Sequence, residues 1–285
     1  MKKAPSMAAG VYTMRAAAYH ADPCPAPSLS SSIARLLCES SPAHAREAHP
    51  RLNPQCVEEE AEHFDIGTAA HAILLEGSAA VTVIDAKDWR TNDAKAQRDA
   101  ARTAGKIPLL VKIWADVQAM VTAARAQLDA HHDGRAMFTV GAPEQTLIWR
   151  EEDVWCRARL DWLRAGGIDD YKTTGASANP EVISRTLFGN GWDIQAAFYL
   201  RGLKAIAGTD AMFRFACQET YPPYALSVIA LGPDAMVLAE KRVLYAIERW
   251  RESLTANRWP AYPTQTAYAS VPTWIESAWL EKELR

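Results

Sequence analysis

The chain has 285 residues, enough for one large domain or two small ones. Hydrophobic residues make up 49% and charged residues 23%, which excludes a disordered chain and fits a globular protein with a sizeable core. The net charge of −3 excludes a global basic field, so a nucleic-acid partner would need a local basic groove.

Residues 1–27 read as a flexible segment ending in the proline-rich "ADPCPAPS". Its start, "MKKAPSMAAG", is faintly signal-like, but Pro5, Arg15 and His20 interrupt any apolar stretch. Nowhere does the chain approach the ~20 apolar residues of a membrane span. The expected location is therefore the cytoplasm, with no membrane partner. Cys24, Cys38, Cys56, Cys156 and Cys217 form no CxxC pair and are odd in number, so they read as reduced thiols. The absence of a clustered cysteine trio near the C-terminus also argues against an iron–sulfur cluster.

A serine-rich run ending at Ser32 caps a helix beginning "IARLLCES". "SPAHAREAHPRLNP" follows as a short helix or turn broken by Pro50 and Pro54. Residues 57–76 read as helical on both sides of Gly67. The second half, "GTAAHAILLEG", is apolar on nearly every side, as in a buried helix. A polar helix over 93–104 ends at Gly105. A long amphipathic helix starts near 111 and stops at Gly134.

The pattern then changes to period two, with turn signals at "EED" and "AGG". It predicts three antiparallel strands over 144–150, 154–164 and 167–173. A helix over 192–207, two strands around the Tyr221–Tyr224 turn, and a long helix N-capped by Asp234 follow. The Trp- and Pro-rich tail, 259–285, is expected to pack on the body through Trp259, Trp274 and Trp279. The fold class is α/β, a mixed central sheet flanked by helices. It is read as one domain over 28–285: a helical part (28–134), a sheet-bearing catalytic core (140–258) and the tail. No internal repeat and no phosphate-binding glycine loop appears.

Asp161 ends "RARLD", and Asp170 follows nine residues later, past the Gly166–Gly167 turn. On adjacent antiparallel strands both carboxylates reach the same end of the sheet. Hard oxygen ligands gathered in one place suit Mg²⁺ or Mn²⁺. Strand periodicity puts Lys172 on the face of Asp170, where an ammonium can position water and neutralise phosphate charge. Asp169 and Tyr171 point the other way, and Asp169 is expected near solvent at a strand entry. Three other features are compatible partners: His71 on its apolar helix, Glu144 opening the first strand, and Gln195 with Tyr199 four apart on one helical face. Each taken singly has an ordinary structural explanation; only their conjunction points to a site.

The ordered set "GTAAH", "RARLDWL", "IDDYKTT" and "QAAFY" resembles the RecB-like branch of the PD-(D/E)xK nuclease superfamily. More narrowly it resembles phage and prophage exonucleases of the RecE (exonuclease VIII) type. "SLSSSIARLL…SPAHA" and "DWRTNDAKAQRDAARTAGKIPLL" extend the likeness over most of the chain. The resemblance implies a restriction-endonuclease-like core in which His71, Asp161, Asp170 and the Tyr171 carbonyl hold Mg²⁺, with Mn²⁺ as a substitute. It makes Lys172 the catalytic lysine, with Gln195 and Tyr199 beside it, and Glu144 a further acid. Asp169 departs from the apolar residue usual there. The resemblance further implies an exonuclease acting on double-stranded DNA ends and leaving a 3′ single-stranded tail. Its relatives form homo-oligomeric rings and work beside a RecT-like annealing protein. Arg157, Arg159, Arg185, Arg201 and Lys204 are the candidate phosphate contacts. An endonuclease with the same site, or an inactive DNA-binding module, are the alternative readings. The presence of His71, Asp161, Asp170 and Lys172 together argues against the module.

Overall fold

The computed structural model describes residues 7–56 and 66–284. In chain order the first elements are β1 (Gly10–Thr13), α1 (Ala16–His20), α2 (Ser31–Glu39), α3 (Pro42–Glu47) and α4 (Ile66–Glu76). A short 3₁₀ turn leads to β2 (Val81–Ile84), α5 (Asn92–Thr103), β3 (Ile107–Leu110) and α6 (Val111–Ala130). The meander is β4 (Ala142–Glu151), β5 (Val154–Arg164) and β6 (Gly167–Thr174). Next come α7 (Ile183–Gly189), α8 (Trp192–Ala207), β7 (Met212–Glu219), β8 (Leu226–Ile229), α9 (Pro233–Ala256) and α10 (Thr273–Glu283).

The main sheet has six strands in the order β1-β4-β5-β6-β7-β8. All neighbours are antiparallel except β6 and β7, which run parallel because α7 and α8 carry the crossover between them. The α/β class and mixed sheet are as the sequence predicts. One face packs under α2, α8 and α9, with Trp149, Phe198, Phe215 and Trp250 at its centre. The other packs under α4 and α6, with Met120, Trp162 and Tyr171. β2 and β3 form a separate parallel pair at the rim of this second core.

Local chemistry explains where the elements begin. Ser30, Ser41 and Thr91 cap α2, α3 and α5 by accepting from backbone N–H groups three residues on. α8 lies between Gly191 and Gly208, both left-handed, so it starts and stops sharply. α9 differs from expectation. Its N-cap is Gly232 and Pro233 takes the first turn, which leaves Asp234 inside the helix as a favourable first-turn charge. The N-terminal half of the helix predicted over 57–76 lies outside the described residues. No described helix is long and apolar enough to cross a membrane. All five cysteines are free.

Two expectations fail at the chain ends. Residues 7–27 are built into the body: β1 pairs with β4, and the loop after α1 buries Asp22. The Asp22 carboxylate accepts from Ser28 Oγ at 2.7 Å and lies 3.4 Å from both His49 Nε2 and Arg157 Nη1. The tail, in contrast, mostly leaves the body. Trp259 packs on Trp250, with ring centroids 5.3 Å apart, but every described residue from 260 onward is exposed, including Trp274 and Trp279.

Asp22 carries a pH prediction. Burial alone would raise its pKa, but the His49 hydrogen bond and the Arg157 charge outweigh it and lower the value to about 2. A depressed carboxylate contributes stability above its unfolded pKa and loses it as pH falls through the folded one. The contribution is about 2 kcal/mol. In urea titrations, the stability gap between wild type and Asp22→Asn should therefore narrow by roughly that amount from about pH 5 to about pH 2. A constant gap would mean the native pKa is not depressed.

Candidate active site

The candidate site forms where the sheet opens. β5 and β6 pair only through Trp162–Asp169, Leu163–Ile168 and Arg164–Gly167. Asp161 and Asp170 are the next residues on the two strands, just past the end of this ladder. There the Asp161 carboxylate replaces the missing ladder bond: its Oδ2 accepts from Tyr171 N–H at 2.9 Å.

A second distortion lies across β4. Pro143 pairs with Trp162 and Gln145 with Leu160, so Glu144 falls opposite Asp161 without pairing. Glu144 has a left-handed φ of 55°, uncommon for a glutamate in a strand. Leu160 packs in the core under α8, and Trp162, two residues on, packs in the core under α4. The alternation of β5 therefore breaks at Asp161, and the break turns that carboxylate toward the gap. Backbone outliers of this kind cluster at functional sites.

Helices supply the rest from both faces. His71 on α4 places Nε2 3.0 Å from Asp161 Oδ2, and its ring lies 5.9 Å from that of Tyr171. From α8, Gln195 Nε2 donates to Asp170 Oδ2 at 2.7 Å. Lys172 Nζ lies 2.6 Å from Asp170 Oδ1. Ligand atoms of His71, Glu144 and Asp161 all lie within 4.8 Å of one another. Asp170 stands outside that trio and is fully buried. Its Oδ1 is held by the lysine ammonium.

The electrostatics follow from burial and from like charges held close. Burial and the Asp161 charge raise the Asp170 pKa to about 6, against the pull of Lys172. Burial would also raise Asp161, but the His71 and Lys172 charges and the Tyr171 N–H bring it below the usual carboxylate value. His71 and Lys172 are both disfavoured by burial, yet both are raised by the acids beside them: Asp161 leads for His71 and Asp170 for Lys172. Burial raises Glu144, opposed by Arg159, whose Nε lies 2.5 Å away. One carboxylate is thus held ionised and its neighbour pushed up, as expected of two acids held close together. The clustered trio and the oxygen donors of Asp161, Asp170 and Glu144 fit a divalent metal ion.

Other predicted residues are placed less uniformly. Tyr199 is buried beneath the site, in ring contact with Phe213. Arg159 is half-buried, paired with Glu144 and donating to the Met14 carbonyl. Arg185 is exposed, with no ion-pair partner among the described residues. The remaining three are corrections. Arg157 is buried, donating to the Ser28 carbonyl at 2.9 Å and lying over the Tyr19 ring. Arg201 is held bidentately by Glu151, and Lys204 is paired with Asp210 at 2.7 Å, both turned away from Gln195 and Tyr199 on α8. Arg157 is taken up inside the protein, and Arg201 and Lys204 pair with acids on a face of α8 turned away from the gap.

Asp169 is also corrected. It is fully buried and is gripped by Arg214 through Nε at 2.8 Å and Nη2 at 2.9 Å, with Arg164 Nε at 3.1 Å. Trp192 was not anticipated. It precedes Gln195 by three and Tyr199 by seven, so it shares their stripe, and Lys172 Nζ lies 5.9 Å from its ring centroid. The spacing was visible in the sequence.

Comparison with known proteins bears on the family and the fold. A family described as a PDDEXK-like domain of unknown function (DUF3799) matches residues 30–271. A solved structure named "Putative exonuclease" from Eubacterium rectale superposes with a TM-score of 0.57, covering 88% of this chain and 93% of its own, at 12% identity. At that identity the likeness supports the fold alone. No curated protein matches the sequence.

Proposed function

Because the chain belongs to the PDDEXK-like family DUF3799, we propose that it is a Mg²⁺-dependent deoxyribonuclease, specifically an exonuclease acting on ends of linear double-stranded DNA. The observation that carries the reading is the meeting of Asp161, Asp170, Lys172 and His71 in one opening of the sheet. Asp161, Asp170, His71 and the Tyr171 carbonyl would hold the ion, with Glu144 beside them. Oxygen donors favour Mg²⁺, and the imidazole admits Mn²⁺ as well. When bound, such an ion lowers the pKa of water and offsets charge on the scissile phosphate.

The chain's own groups set the rest. Lys172 retains its proton, so it acts as a donor that orients the attacking water and balances phosphate charge. Gln195 fixes the plane of the Asp170 carboxylate, and the Tyr171 N–H fixes that of Asp161. Tyr199 supports this floor from below. Arg185, exposed on α7, and Arg159, which would have to exchange Glu144 for phosphate, are the candidate phosphate contacts that remain. Their affinity would be salt-dependent and indifferent to sequence. The product would carry a 3′ single-stranded tail, the substrate of an annealing protein. Assembly into a ring would keep the enzyme on its strand.

Comparing linear with closed circular duplex tests the exonuclease reading. End-dependent nucleotide release is expected, and cutting of the circle would make the enzyme an endonuclease. His71→Ala should raise the metal concentration for half-maximal activity by about tenfold or more, since a lost ligand weakens the site. A variant with a lower melting point but unchanged metal dependence would make His71 a core histidine.

A further inference from the structure

We propose that Trp192 is a positioning residue for Lys172: the face of its indole holds the lysine ammonium in the gap beside Asp170. The role rests on the nuclease reading; the contact does not. Lys172 Nζ lies 2.6 Å from Asp170 Oδ1 and over the Trp192 ring, 5.9 Å from its centroid. That distance is within reach of cation–π attraction, which strengthens as water is excluded. Here the lysine side chain is only 20% exposed. A lysine needs such a hold. Its charge rides on a flexible four-carbon stem, so one ion pair lets the ammonium pivot about the carboxylate. Asp161 and the buried Cys217 thiol also act on the charge, but neither is an aromatic face. An indole suits the task. It attracts the charge without neutralising it, and it leaves the N–H donors for water and phosphate oxygens.

The fold fixes the ring. Trp192 opens α8, and the left-handed Gly191 before it starts the helix sharply. A side chain at position 191 would meet that of Arg35 at 2.7 Å. Asp193, the next residue, is buried and gripped by Arg242 at 2.7 Å. The indole itself is half-buried and packs on Phe215, with ring centroids 5.9 Å apart. Phe215 packs in turn on Phe213 at 4.7 Å, and Phe213 on Tyr199. Phe215 pairs with Asp170 across β6 and β7, as Cys217 pairs with Lys172. The aromatic row therefore backs the strand that carries the acid and the lysine. One turn further along α8, Gln195 holds the other oxygen of Asp170. A single helical turn thus serves both members of the pair, with glutamine on the acid and tryptophan on the lysine.

The test combines two substitutions with two readouts on the full-length chain. Trp192→Phe keeps an aromatic face, and Trp192→Leu keeps apolar bulk without one. The first readout is melting, without DNA or added metal. Trp192→Leu should lower the melting temperature by about 2 °C more with Lys172 present than in a Lys172→Met background, because only the former loses a cation–π contact. Equal losses in the two backgrounds would mean that the indole merely fills space, and would overturn the proposal. The second readout is steady-state cleavage of linear duplex DNA with Mg²⁺. Trp192→Leu should lower kcat about tenfold with KM changed less than about twofold, and Trp192→Phe should stay within about threefold of wild type. Equal kcat for the two variants would overturn the proposal. So would a raised KM at unchanged kcat, which would make Trp192 a contact to DNA. A folded wild type that cleaves nothing but keeps the melting difference would strike the nuclease reading and leave the hold on Lys172 standing.

Discussion

Lys172→Ala is expected to lower DNA cleavage by at least about a thousandfold, equivalent to about 4 kcal/mol of barrier, while the chain stays folded. The size follows from where the ammonium sits. Its Nζ is 2.6 Å from Asp170 Oδ1 in a site largely closed to solvent, where a fixed charge acts far more strongly than in water. The fold should survive because Asp170, already pushed up to about 6, can take a proton once its partner is gone, and Gln195 still holds its other oxygen. Asp170→Ala should be as inactive, through loss of a ligand. Circular dichroism and melting curves separate these outcomes from unfolding. A folded Lys172→Ala protein cleaving at the wild-type rate would remove the lysine from the mechanism.

Asp169→Ala, one residue away, should fail differently. Asp169 is fully buried and offsets Arg214 and Arg164, which are themselves mostly buried. Arg214 also donates to the Asp133 carbonyl, so it cannot simply swing out to water. Deleting the acid leaves uncompensated guanidinium charge, a change that typically costs 3–5 kcal/mol, and about that loss is expected here. In urea the midpoint should fall with the slope unchanged. Activity should fall only as far as the folded fraction does. A loss below about 1 kcal/mol would mean the pair is solvated.

The adjacent fates of Asp169, Asp170 and Lys172 show what a sequence can and cannot state. Strand alternation alone put Asp170 and Lys172 on one face and Asp169 on the other, and the structure agrees. Alternation cannot say what covers the second face. The counter-charge of Asp169 comes from β7, more than forty residues on. Arg157 fails for the same reason. Its face of β5 is covered by the loop at Asp22, a segment whose prolines suggested flexibility. Glu144 was placed by its position in "GAPEQ", but the left-handed backbone that brings it opposite Asp161 leaves no trace in the pattern. The helix α8 was legible to its ends because glycines bound it on both sides. The tail was misread because tryptophans usually signal a core, and here two of them mark a surface.

The most direct test of the central claim is nucleotide release from end-labelled linear duplex DNA by wild type and Lys172→Ala, each with Mg²⁺ and with EDTA. The site described here predicts release by wild type with Mg²⁺ and none in the other three conditions. Release that persists in EDTA, or in the folded Lys172→Ala protein, would contradict it.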